Sequence, residues 1–383
     1  MSTSSIKKMI QISEPVIGEQ ECLAVQETLK SGWTTQGPKV REFERNFANI
    51  HQSKSAIAST SCTTALHLIL KALNIKEGDE VIVPAFTWVS TANVVEHCLA
   101  VPIFVDIDIN TFNIDPKQLK EKISSKTKAI IAVHLFGLCA DIKAIKKIAN
   151  NIPIIEDAAC AAGSFSPEGM AGSLGIAGAF SFHPRKIIST GEGGIITTNK
   201  QELADKIDVL RNHGASLSEE KRHHSSQPFI LPDFNVCGFN YRMTDIQASV
   251  GIIQLEKLKE FIDFRQYWAA FYQEQLSDIK WLKLPEIPKG YGMNWQSFVC
   301  VFNKSKHFRT RNEIMLQLQE KGISTRPGTH AVHLLGYYQS KYQFKDNDFP
   351  AANLADQQTL AIPLHNKMTE EDFKYIVDII KGL

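Results

Sequence analysis

The sequence has no apolar run near the roughly 20 residues that cross a bilayer. Its first residues, MSTSSIKKMIQISEP, hold no apolar core of the signal-peptide kind, so a cytoplasmic location is expected and no membrane partner. Neither sign of charge prevails: 42 Lys and Arg stand against 41 Asp and Glu, a formal net charge of +1. No global field therefore draws the chain to nucleic acid or to an anionic surface. Paired cysteines are missing as well. The seven, at 22, 62, 98, 139, 160, 237 and 300, are odd in number, scattered and without a C-x-x-C spacing. That argues against a disulfide framework, a zinc ribbon or an iron–sulfur site, and for buried thiols in a reducing compartment. There is no internal repeat and no low-complexity segment.

What is present is an ordinary globular composition, 43% hydrophobic and 22% charged over 383 residues, enough for one large domain and a smaller one. From about residue 55, β-branched runs alternate with amphipathic helical stretches. SAIAST, EVIVP, VPIFVDI, KAIIAVHLF, IPIIEDA, AGAFSF and GGIITT read as strands; TTALHLILKAL, STANVVEHCLA and ADIKAIKKIAN read as helices. Strands apolar on both faces within a βα rhythm predict an α/β fold with a mainly parallel sheet covered by helices. Near residue 244 the character changes. The stretch from TDIQASVGIIQ to FYQEQL reads as one long helix, WQSFVCVF and ISTRP as strands, TRNEIMLQLQEKG as a helix ending at Gly322, and TEEDFKYIVDIIKGL as a helix capped by Thr369. The expected division is a large α/β domain over 1–250, with an N-terminal arm, and a small α+β domain over 251–383.

Open α/β sheets bind small molecules beyond the carboxyl ends of their strands. Asp157 ends the IPIIED run, Thr63 and Thr64 follow SAIAST at a helix start, and Lys186 follows AGAFSF in the segment SFHPRKIISTGEGG. Taken singly, an acid at a strand end is a turn former, a Ser/Thr cluster is an N-cap, and a lysine near glycine is solvated. Together they make one set. Hydroxyls and free amides at a helix N-terminus suit a phosphate, a fixed carboxylate suits a protonated ring nitrogen, and an amine can form a Schiff base with an aldehyde. Phosphate, heterocyclic nitrogen and aldehyde describe pyridoxal 5′-phosphate, and Trp88 in PAFTWVSTAN is the aromatic that would stack on its ring. GEGG (191–194) lacks the spacing of a dinucleotide fingerprint, and its glycines let the chain bend tightly after the lysine.

The motifs SGWTTQGPKV, PAFTWVSTAN, FVDIDINTFNID, IEDAACAAGS, SFHPRKIISTGEGG and GFNYRMTDIQA, in this order, resemble those of the DegT/DnrJ/EryC1/StrS family of sugar-nucleotide aminotransferases, whose fold is that of the fold-type I pyridoxal-phosphate transferases. The resemblance spans nearly the whole chain. It implies Lys186 as the lysine that carries the cofactor and moves protons, Asp157 as the partner of the pyridine nitrogen and Trp88 as the stacking ring. It implies Thr63, Thr64 and Ser181 as phosphate contacts. Asn240 would reach the phosphate from a neighbouring subunit, which implies a homodimer. It also implies L-glutamate as donor and a nucleotide-linked keto sugar as acceptor, with a 4-keto-6-deoxyhexose leading, for O-antigen or other surface-glycan synthesis. Arg326, His330 and His333 of STRPGTHAVHLLGYY fall in a segment that the family places over the sugar nucleotide; His330 and His333 are not expected to bind metal. The basic run Lys221-Arg222-His223-His224 reads as a solvated loop or as one reaching the diphosphate. Two departures stand out. Cys62 replaces the usual glycine before the first phosphate-binding threonine, and Cys160 replaces the usual Gln or His beside the cofactor ring. Two other functions share the cofactor. A 3-dehydratase would replace the lysine or keep it beside an iron–sulfur cluster, and a cofactor-binding regulator would not turn over.

Overall fold

The computed structural model describes residues 9–216, 229 and 231–383. Seven runs become the strands β1 Ser55–Ser59, β2 Glu80–Pro84, β3 Val101–Val105, β4 Thr127–Val133, β5 Ile154–Asp157, β6 Ala177–Ser181 and β7 Gly194–Thr198. They lie in one sheet in the order β1-β7-β6-β5-β4-β2-β3. The pairs from β6 to β3 are all parallel, and β7 runs antiparallel to both of its neighbours. This is the α/β architecture expected from the sequence.

The two faces of the sheet follow from the period of two along a strand. Ala129, Ile131 and Val133 of β4 join one apolar cluster with Leu66 and Ile69 of helix Cys62–Ala72. Ile130 and Ala132 join another with Ile142 and Ile145 of helix Ile142–Ala149. Because both faces are covered, β4 reads as a continuous apolar run rather than an alternating one. Truncating Ile131, which is fully buried, to alanine would cost about 2–5 kcal/mol.

A second sheet, β8 Leu282–Lys283, β9 Phe298–Phe302 and β10 Thr359–Ile362, is antiparallel in that order. The closing helix Glu370–Lys381 starts at Thr369, whose hydroxyl accepts from the Asp372 amide. Two expectations for this part of the chain need correction. The long helical pattern divides into Asp245–Glu256 and Leu258–Gln275 at Lys257. The first half packs on helices Glu19–Ser31 and Pro38–Ile50, and the second packs on the closing helix, so the break redirects the chain between two sets of neighbours. Lys257 is fixed there by an ion pair to buried Glu21, at 2.7 Å. ISTRP forms no strand: Ile323 bridges Ile10 and Arg326 bridges Ala361 as isolated pairs, and Pro327 has no N–H to extend the second.

Two contacts position the site. Beyond the end of β2, the short strand Phe86–Thr87 pairs with His330–Ala331, which draws the 326–334 segment over the carboxyl ends of the parallel strands. Asp245, buried, accepts from the amides of Gly37, Lys39 and Val40. It thereby caps helix Pro38–Ile50 and fixes the TTQG turn.

Candidate active site

Lys186 lies in the loop between β6 and β7, where its amide closes a turn onto the His183 carbonyl. Its backbone is held from a distant segment. Gln296 accepts from the Ile187 amide at 3.0 Å and donates to the Arg185 carbonyl at 2.6 Å. At the far end of the loop Gly191 takes φ +81°, and Gly194 passes so close to the Ser61 and Cys62 backbone that a Cβ would lie 2.3 Å from it. Only glycine permits that approach. It sets the loop against the N-terminus of helix Cys62–Ala72. The Lys186 Nζ donates to Cys160 Sγ at 3.1 Å. Burial alone would lower this ammonium, but Cys160, Cys62 and Asp157 outweigh it and the group stands above its ordinary value. The protein's own groups therefore favour the charged form.

Asp157 closes β5 and is almost wholly buried. Oδ2 accepts from the Thr91 hydroxyl at 2.8 Å, and Oδ1 accepts from the Ala159 amide at 3.3 Å and from the Cys62 thiol at 3.9 Å. Thr87 supports Thr91 at 3.0 Å. Burial raises the carboxyl above the aspartate range; Thr91, Ala159, Lys186 and His134 only partly offset this. Among the described residues it forms no ion pair. The site thus has a buried acid that lacks a bonded cation.

Helix Cys62–Ala72 is capped by Ser61, whose Oγ accepts from the Thr64 amide while Thr64 Oγ1 accepts from the Ser61 amide. The Thr64 hydroxyl is therefore engaged in a capping box, and the amides of Cys62 and Thr63 have no acceptor within the helix. Ser181, the last residue of β6, is the register partner of Gly194 and so lies near the same helix end. Trp88 is 57% exposed, and its ring centroid lies 5.7 Å from that of His330. Asn240 is exposed, next to Tyr241, whose carbonyl accepts from the Thr60 amide. Arg326 and His330 are exposed at the rim. His333 is set apart from Arg326 and His330 at the rim. A short 3-10 turn, Val332–Leu334, carries it inward until it is fully buried with its ring 4.7 Å from Phe349. Residues 221–224 lie outside the described residues.

Three residues went unnoticed in the sequence: Thr91, Gln296 and Asn294. Asn294 donates to the carbonyls of Cys160 and Ala162. Thr91 stands inside the quoted PAFTWVSTAN motif and could have been found as a hydroxyl in the first turn of a helix that follows a strand end. Gln296 and Asn294 carry no local signal.

The family description DegT/DnrJ/EryC1/StrS aminotransferase matches residues 15–381. The chain belongs to this family. Spore coat polysaccharide biosynthesis protein SpsC of Bacillus subtilis is 39% identical over 377 residues, 97% of each chain. Spr1654 of Streptococcus pneumoniae in its PLP-form superposes with a TM-score of 0.90 at 29% identity, over 98% of both chains. PseC of Helicobacter pylori, an aminotransferase involved in the biosynthesis of pseudoaminic acid, does so at 0.90 and 25%, over 98% of this chain and 99% of its own. The residues of this family member fit pyridoxal phosphate: a helix N-terminus with two amides to give and, among the described residues, a buried carboxylate without a bonded cation and an amine hydrogen-bonded to a thiol.

Proposed function

We propose that this family member is a pyridoxal-phosphate-dependent aminotransferase. It would move an amino group from L-glutamate to a nucleoside-diphosphate-linked keto sugar, a 4-keto-6-deoxyhexose first among them, for a surface polysaccharide. The observation that carries the reading is that buried Asp157, at the carboxyl end of β5, and Lys186, in the loop after β6, lie within electrostatic reach of each other. The polysaccharide role printed for SpsC and the sugar chemistry of PseC support the substrate class.

When bound, the cofactor supplies an aldehyde and an electron-accepting ring. The amides of Cys62 and Thr63, with the hydroxyls of Thr63 and Ser181, bind the phosphate at the positive end of the helix, and Thr64 holds that end in shape through the capping box. The Asp157 carboxylate, oriented by Thr91, would hold a proton on the ring nitrogen, and such a cation would return the aspartate to its charged form. Trp88 covers the ring. Lys186 takes a proton from the donor carbon and later delivers one to the acceptor carbon. The bound cofactor would bring positive charge beside Nζ, which would oppose the ammonium and free the amine for this work. Asn240, exposed on the single chain, completes the phosphate site of a second copy in a homodimer, and Arg326 and His330 reach the sugar nucleotide.

Titrating the cofactor-loaded protein with L-glutamate while following visible absorbance tests the reading. Bleaching, restored by a nucleotide-linked 4-keto-6-deoxyhexose, is the expected outcome. An unchanged spectrum with glutamate rejects the donor, and bleaching that no keto sugar reverses rejects the acceptor.

A further inference from the structure

Cys160 and Lys186 are brought together by one segment that neither belongs to. Gln296 grips the chain on both sides of Lys186, and Asn294 grips the Cys160 and Ala162 carbonyls at 3.0 and 2.9 Å. Between them Trp295 takes a left-handed φ of +53°, and buried Arg265 donates to the carbonyls of Trp295 and Gln296. The result is Sγ and Nζ at 3.1 Å, both on half-buried residues. Nothing in the proposed transamination uses the thiol.

We propose that Cys160 and Lys186 form a modification site in which dioxygen joins them through a single oxygen, as S–O–N, whenever no aldehyde occupies the amine. The thiol gives up its hydrogen and the amine one of its own. One oxygen atom of dioxygen becomes the bridge, and the other leaves with the two hydrogens as water. Sulfur and nitrogen each lose two electrons, the four that dioxygen accepts. Reversal takes the same four electrons, from two equivalents of a dithiol. Thiolate attack on sulfur opens the S–O bond, frees the Cys160 thiol and leaves a hydroxylamine on Lys186, and the second equivalent reduces that hydroxylamine to the amine with release of water. The bridge would cap the amine proposed to hold the cofactor, and so make loading depend on reduction. It needs only the contact, not the transamination, and goes beyond that reading.

The test is intact-protein mass spectrometry of the full chain, kept in air or under anaerobic conditions, with and without added pyridoxal phosphate, followed by peptide sequencing. The expected result without cofactor is a gain of one oxygen less two hydrogens in air only. It should map to a Cys160–Lys186 cross-link, reverse with dithiothreitol, vanish in Cys160→Ser and persist in Cys62→Ser. An unchanged mass in air, a gain of oxygen without loss of hydrogen, or a gain that survives Cys160→Ser overturns the proposal. If the cross-link forms equally with pyridoxal phosphate present, the bridge stands and Lys186 as the cofactor's attachment point falls.

Discussion

Glu156 and Asp157 are consecutive buried acids on β5, and strand geometry sends their side chains to opposite faces of the sheet. On one face Glu156 is saturated. One oxygen accepts from the amides of Leu174 and Gly175, and the other from the Gly172 amide and from His134 Nε2 at 2.8 Å. On the other face Asp157 has a hydroxyl, one amide and a distant thiol, and burial lifts its carboxyl above the usual range. The first arrangement anchors a loop; the second leaves a charge to be completed by something else. Burial alone does not separate a structural acid from a functional one, whereas the number and charge of its partners does.

The largest effect expected on the Asp157 side comes from Lys186→Ala. Turnover should fall by about 10³-fold or more, because a positioned proton carrier is lost along with the attachment point. The urea midpoint should stay close to that of the parent, since among the described residues Lys186 Nζ donates to a thiol alone. Steady-state assay and equilibrium unfolding on the same preparation check both halves, and residual turnover near the parental rate would remove Lys186 from the reaction.

The adjacent acids should then show crossed effects. Glu156→Gln places an amide NH₂ among amide donors and should cost about 3 kcal/mol of stability. Asp157→Asn should cut turnover about 10²-fold, the equivalent of losing one buried charge pair, yet leave the cofactor-free protein as stable as the parent or more so. The pH dependence has a defined sign. A carboxyl whose folded pKa lies above its unfolded value binds protons more readily when folded, so it adds stability at low pH that is lost as pH rises through the window between the two. Cofactor-free parent should show that loss above the ordinary aspartate value of 3.8, and Asp157→Asn should not. Urea unfolding across pH decides it.

Much of this was legible in the sequence, for physical reasons. Strand β2 coincides with EVIVP, and Thr369 caps the closing helix, because β-branched runs and capping boxes are local signals. Asp157 and Lys186 were found by position, at the ends of parallel strands. What escaped was long-range. Gln296 acts on residues 109 and 111 positions away, and Asn294 on Cys160, 134 positions away. The helix break at Lys257 and the left-handed Trp295 carry no glycine or proline to mark them. His330 and His333, three residues apart, were read as a pair, but the turn between them leaves one at the surface and buries the other.

The two sides differ in their buried histidines as well. His134 uses both nitrogens, one on Glu156 and one accepting from the Ala140 amide. Both ring nitrogens of His333 are buried without a partner among the described residues. Burial lowers the His333 pKa below 6.5 despite Asp106 and other nearby acids. Its contribution is therefore present above that value and lost as pH falls, when the unfolded chain takes up the proton. His333→Phe should raise stability by about 1–2 kcal/mol, since it removes unsatisfied polar atoms from an aromatic pocket. It should flatten the acid-side loss and leave turnover unchanged. Thermal unfolding at neutral and mildly acidic pH is the measurement, and a large rise in KM for the sugar nucleotide would return His333 to the site.

The smallest effect is the one that bears most directly on why Asp157 points where it does. Thr91 is fully buried and gives its hydroxyl hydrogen to Oδ2, while Thr87 supplies a hydrogen to Thr91 in turn. Thr91→Val keeps the shape and removes this chain of donors. One charge-assisted hydrogen bond is worth about 1.5–3 kcal/mol when lost, but bound cofactor would compensate part of it with its own cation. A several-fold loss in turnover is therefore expected, with a larger loss in cofactor affinity. The aspartate, stripped of its strongest donor, should also ionise less readily, so the loss should deepen as pH falls and shrink as it rises. A pH profile of kcat for Thr91→Val displaced to higher pH would show that Thr91 acts through Asp157. A uniform loss at every pH would reduce Thr91 to a packing residue.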